Sequence, residues 1–373
     1  MIEDAYTGEV RPVANVPLGV AATGGIISRI GYGITELFEQ GYSDPVRITD
    51  NGFLEPLQAL NTVMNIAYGA ELLNAVDADI GGYTNIRQSM INYIKECTAV
   101  KILTGETTSS ANSVAKIMDG IRYNSSVHGT KIYIDASSQQ GDELTCSEAA
   151  NKLVLGLDRI GYKSFSKLNE LLNLDPTYMT AEMKISNGLQ MLNQTGTSST
   201  DFVKLALLVP LYEEGMKHAD LFYGGYNSGL MISEAVMQRN VQWAGEASMF
   251  MTVVHPMITF FEAFIYAISP IVAIMLVMGA VGMSIAVKYF QTALWIQLWM
   301  PVLSIINLYM TIMVSEGMAG PTEFQSIYAY GAASIDLPNY IATGGMLAAA
   351  TPAISLLITQ PEMALLHNLV TCR

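Results

Sequence analysis

The chain has 373 residues, a formal net charge of −14 and a mean hydropathy of +0.32, with charged residues at only 14%. That charged fraction lies well below the roughly 25% of soluble domains. The acidic balance, with no basic patch or aromatic–basic run, excludes direct nucleic-acid binding as an expectation. Charge is unevenly spread: residues 1–240 hold 17 basic and 27 acidic side chains, whereas residues 241–373 hold 2 and 6.

The N-terminus, MIEDAYTGEV, is acidic and polar. It has neither the basic n-region nor the apolar h-region of a secretory signal. Either this part stays in the cytoplasm, or the chain is a piece of a longer protein whose export signal lies upstream. The first 240 residues read mainly as helix. Apolar residues recur at helical intervals over Leu54–Leu73, Ile86–Val100, Cys146–Leu157, Phe165–Leu172 and Phe202–Tyr212. Thr145 with Glu148 forms a T-x-x-E capping box, and Ser199 or Thr200 does similar work before Asp201. One strand is expected over Lys131–Ile134. Gly-Gly pairs at 24–25, 81–82 and 224–225 mark breaks. The 105–114 and 137–143 stretches read as surface loops.

Two of the three cysteines, Cys97 and Cys146, lie in this part, and Cys372 lies near the end. Neither of the first two has metal-ligand spacing or sits in a CxxC motif. In an exported domain such an isolated pair reads as one disulfide, and in the cytosol as two buried thiols.

The remainder is membrane-like. Residues 263–287, 289–315 and 337–361 are free of formal charge. Each stretch exceeds the roughly 20 residues that a bilayer core requires. The expected organisation is a soluble domain over 1–250 and a transmembrane module over 251–360. The spans fall at 257–282, 289–314 and 341–359, with an outer loop at 316–336 and a short tail at 361–373. The turn between the first two spans is read at Lys288, which the positive-inside rule places in the cytoplasm. The soluble domain and the acidic 316–336 loop then lie outside.

Within the spans, Pro270 and Pro301 are expected to bend their helices. Gln297, Ser304 and Asn307 share one helical face, and Gln291 falls off it. Those three groups either line a conduit or bond across helices. Trp295 and Trp299 suit a lipid-facing stripe. Glu262 reads as an interfacial carboxylate, with a coupling site in a transporter as the alternative. Gly345, Ala349 and Ala353 repeat every four residues beside Gly344, Ala348 and Pro352. This small-residue stripe is the expected helix-packing interface.

No G-x-S-x-G, HExxH or Walker A motif occurs, and the four histidines are scattered, so no catalytic or metal site and no cofactor is expected.

PMITFFEAFIYAISPIVAIMLVMG followed by YFQTALWIQLWMPVLSIINLYM resembles the membrane core of TraG N-terminal-domain proteins. These are the mating-pair stabilisation proteins of F-type conjugative type IV secretion systems. Trp295–Tyr309 is the most specific part, and Gly344–Ile358 resembles the helix that follows. Asn15–Gln40 and Thr145–Leu153 resemble the start and middle of that family's periplasmic domain, where cysteines recur at the positions of Cys97 and Cys146. The resemblance implies a mainly α fold, with an α-helical periplasmic domain on a C-terminal α-helical transmembrane module of about three spans. It further implies a non-enzymatic assembly subunit in the bacterial inner membrane. Its partners would be other secretion subunits, the lipid bilayer and further copies of itself. A channel subunit lining the secretion conduit is the alternative, and a membrane-tethered enzyme is a third.

Overall fold

The structure is a computed structural model. It describes residues 2–3, 10–11, 18–42, 45–68, 73–74, 83–105, 120–172, 174, 179–194, 196–223, 260–261, 263–265, 267–318 and 327–359. The fold is mainly helical. The chain divides into two compact units. One comprises Glu55–Ala244 and Val314–Asn339, and the other Met1–Leu54, Gly245–Met313 and Tyr340–Arg373. The first 54 residues thus fall in the same unit as the apolar helices, not with the rest of the expected 1–250 domain.

The first unit is a helical domain with one β-hairpin. Its helices are α3 (Glu55–Tyr68), α4 (Ile86–Tyr93), α5 (Ala99–Leu103), α6 (Cys146–Leu171), α7 (Ala181–Met191) and α8 (Ser199–Tyr223). A π-helical turn, Ile94–Thr98, joins α4 to α5. Helix α8 packs on α3, α4, α6 and α7. Phe202, Val203, Leu205, Ala206, Leu207 and Leu208 are all fully buried along it. A helix enclosed on every side needs apolar residues all round, so its apolar positions form no single stripe. The hairpin pairs β3 (Gly129–Ile132) with β4 (Asp142–Thr145), antiparallel, with Gly129 opposite Thr145. The strand therefore begins two residues before the expected Lys131. Helix α6 runs unbroken where two shorter helices were expected. Thr145 and Glu148 form the capping box at its start. At α8 the cap lies one residue earlier than expected, since the Asp201 amide donates to Ser198 Oγ.

The second unit contains α1 (Leu18–Gly41) and α2 (Ile48–Asn51). It also contains α9 (Ala263–Met278) and α10 (Ala280–Gln297). Helices α11 (Trp299–Gly317) and α12 (Ile327–Thr359) begin or end in it. A two-residue strand pair joins Ile2–Glu3 to Val10–Arg11. The Gly24-Gly25 pair lies inside α1 and does not break it. The pairs at 81–82 and 224–225 lie outside the described residues.

Among the described residues, two helical stretches are long and apolar enough to cross a membrane: Ala280–Gly317, which is 38 residues long, and Asp336–Thr359. The expected boundary between the first two spans moves. The chain reverses at Gly279, with φ +72°, and Lys288 lies inside α10, exposed to its surroundings. A positive φ costs an L side chain a steric clash that glycine avoids, which is why the turn falls on the glycine and not on the lone charge.

Candidate membrane and assembly surfaces

The disulfide links the two chain segments that organise the first unit. Cys97 sits in the π-helical turn, Cys146 is the first residue of α6, and the two are joined with Cα atoms 5.8 Å apart. Both are completely buried. The Cys146 amide donates to His128 O at 2.9 Å, so the bridge is anchored to the hairpin as well.

Two carboxylates brace this junction. Asp142 accepts from the Ser137 hydroxyl at 2.6 Å and the Ser137 amide at 3.1 Å, with Lys152 at 3.3 Å. Glu148 accepts from the Thr145 hydroxyl at 2.8 Å and amide at 3.2 Å. The hydrogen bonds from Ser137 and Thr145 hold the two carboxyls below their ordinary range. A depressed folded pKa contributes stability above the unfolded value, and that contribution is lost as pH falls through the folded one. Acidification to below the ordinary carboxylate range is therefore expected to release the Ser137 and Thr145 amides. Hydrogen exchange corrected for intrinsic rates checks this. Glu148→Ala should abolish the protection of Thr145 at every pH, and unchanged protection in that variant would contradict the assignment.

In the second unit, α9 and α10 form an antiparallel helical hairpin about Gly279. Near the turn, a Cβ on Gly282 would sit 1.9 Å from Met275 O, so the arms touch backbone to backbone. At the open end, Tyr289 donates to Ile265 O at 3.2 Å. Phe261 packs edge-on against Trp295 and Trp299, with ring centroids 6.5 and 5.7 Å away.

The two tryptophans do not form the expected lipid-facing stripe. Trp299 is 1% exposed, and Trp295 donates its indole N–H to Pro352 O at 2.9 Å. Gln291 likewise reaches α12, donating to Thr359 O at 3.0 Å.

The remaining polar and small residues can be placed one by one. Pro301 lies buried in the first turn of α11 and supplies no N–H to Gln297 O. Gly31 of α1 packs against that position, where an added Cβ would lie 3.2 Å from Gln297 O. Asn307 is 1% exposed and donates to Val46 O at 2.9 Å. Ser304 is also buried. Gln297 and Asn307 are thus engaged in packing within the unit, and Ser304 is buried on the same helix. Pro270 is exposed within α9, and Glu262 lies outside the described residues.

The small-residue stripe of α12 divides. Gly344, Gly345 and Ala348 are buried, whereas Ala349 and Ala353 are exposed. The close contact is made by Gly344, whose added Cβ would lie 2.2 Å from Leu54 Cδ1 and 3.5 Å from Met310 Cγ. The expected Gly345–Ala349–Ala353 line is therefore one position away from the face that packs inside the unit. Sequence reasoning missed Gly31 as a contact point and placed Gly344 only beside the expected line. Adjacent small residues were the available sign, but nothing local identifies Leu54 or Gln297 as their partners.

Among the described residues, no group of three or more His, Cys, Asp or Glu side chains is placed to hold a metal ion. No curated protein matches the chain, and no solved structure does. The family described as TraG-like protein, N-terminal region, matches residues 1–371, essentially the whole chain, and the chain belongs to that conjugation-related family.

Proposed function

We propose that the protein is an inner-membrane structural subunit of a conjugative type IV secretion apparatus, acting in pilus assembly, mating-pair stabilisation and DNA transfer. The family match over residues 1–371 carries this reading. The apolar helices supply a means of membrane attachment. The Cys97–Cys146 disulfide supports a periplasmic location for the first unit, because oxidising compartments are where such bridges persist. In this reading the protein is not an enzyme. It works by packing against lipid, other secretion subunits and further copies of itself.

The test is a non-polar deletion complemented in trans. Transfer frequency and pilus display, scored by adsorption of a pilus-specific phage, should both fall to background and return with the wild-type gene. Wild-type transfer from the deletion strain would overturn the proposal.

A further inference from the structure

We infer that, within Ala263–Gly317, the membrane-crossing element is the α9–α10 hairpin, Ala263–Gln297, and that α11 is a packing helix of the second unit lying on the side where the hairpin's open end emerges. This rests on reading the chain as a membrane protein and specifies which residues meet lipid.

The first observation is where apolar side chains face outward. Around the turn, Ile271, Ile274, Val277, Met278, Val281 and Met283 are 57 to 88% exposed, on both arms. Water would not tolerate such a surface, and a bilayer accepts it without any partner. In α11 the balance reverses. Its outward apolar residues Ile305, Tyr309 and Ile312 are only 43 to 49% exposed, and Val302, Leu303, Ile306 and Met310 are buried together with the polar Asn307.

The second observation is length. The 38 residues of Ala280–Gly317 extend about 57 Å at 1.5 Å per residue, nearly twice the hydrocarbon thickness of about 30 Å. Only half can be in lipid. The α10 half, Ala280–Gln297, has 18 residues and extends about 27 Å, which matches one crossing.

The third observation is the chemistry at the two ends. The open end is closed off from its surroundings, with Phe261, Tyr289 and Trp295 packed around the buried Ile265, Ile296 and Trp299. The closed end is a turn of one glycine, which leaves few backbone groups without helical partners, and these need the hydrated headgroup layer. Lys288 is exposed on α10 between the two ends. Helical side chains lean towards the helix N-terminus, so its ammonium is directed towards the Gly279 end.

The experiment uses the full chain with Cys372→Ser, so that the disulfide cysteines are the only native ones. It is reconstituted into phosphatidylethanolamine–phosphatidylglycerol vesicles, and single cysteines are placed at Val287 and Ile305, both exposed in the structure. At Ile305→Cys an impermeant maleimide should react about tenfold faster than at Val287→Cys, since only the latter lies in hydrocarbon. A bimane label at 287 should be quenched by lipids carrying a spin label near the chain end, and one at 305 should not. The opposite ranking, with 305 quenched and 287 reactive, would overturn the assignment and restore a crossing over 289–314. Release of the wild-type protein by alkaline carbonate would instead overturn the membrane reading itself.

Discussion

Replacing Cys97 and Cys146 together by alanine should lower the unfolding free energy of the first unit by about 4 kcal/mol. The two residues are 49 apart in sequence. In the chain-entropy account, a cross-link closing a loop of that size removes about 4 kcal/mol of denatured-state freedom. The location makes the effect local as well as global. The bridge ties the π-helical turn of the α4–α5 segment to the capping box of α6, and both sulfurs lie in the fully buried interior. Urea unfolding of detergent-purified protein, with and without reductant, measures it. The double variant and the reduced wild type should unfold at the same lowered midpoint. A loss below about 1 kcal/mol, the size of an ordinary surface change, would mean that the hairpin and helices hold the junction without the bond. If the first unit lies in the periplasm, as proposed, cells lacking periplasmic thiol oxidation should show the same deficit as reduced steady-state protein.

This bond was legible in the sequence because two isolated cysteines have few alternatives. Other features were legible where the physics is local. The T-x-x-E box starts α6, and apolar periodicity marks α3 and α4. What was hidden depends on distant partners. Helix α6 was read as two pieces, separated near Gly161. The structure runs through that residue because its missing side chain admits Thr200 and Lys204 of α8, each within 2.9 Å of where a Cβ would stand. Asn307 was recognisable as a polar residue needing a bond inside a bundle. Its acceptor, Val46 O, is 261 residues away, and no local pattern encodes that. The turn at Gly279 was misplaced to Lys288 because charge was taken as the mark of an exposed loop. Backbone geometry made the glycine the cheaper place to reverse.

Gly344→Leu should destabilise the second unit by about 3 kcal/mol, whereas Ala349→Leu and Ala353→Leu should leave it folded. Leucine at 344 would drive a branched side chain into space held by Leu54 and Met310, where even a single added Cβ lies 2.2 Å from Leu54 Cδ1. Leu54 is itself fully buried, with a positive φ of 52°, so it has little freedom to withdraw. Overpacking of this kind costs 1 to 3 kcal/mol or more. Thermal unfolding followed by size-exclusion of detergent-purified protein should show a lowered midpoint for Gly344→Leu alone. The exposed pair then serves a separate question. If Ala349 and Ala353 press against another subunit, leucine at both should abolish conjugative transfer while membrane levels and unfolding midpoint stay at wild type. Transfer that survives the double leucine variant would leave that face to lipid, where added methyl groups cost nothing. A normal midpoint for Gly344→Leu would show that α12 and the Leu54 segment separate readily, removing this contact from the forces that hold the unit together.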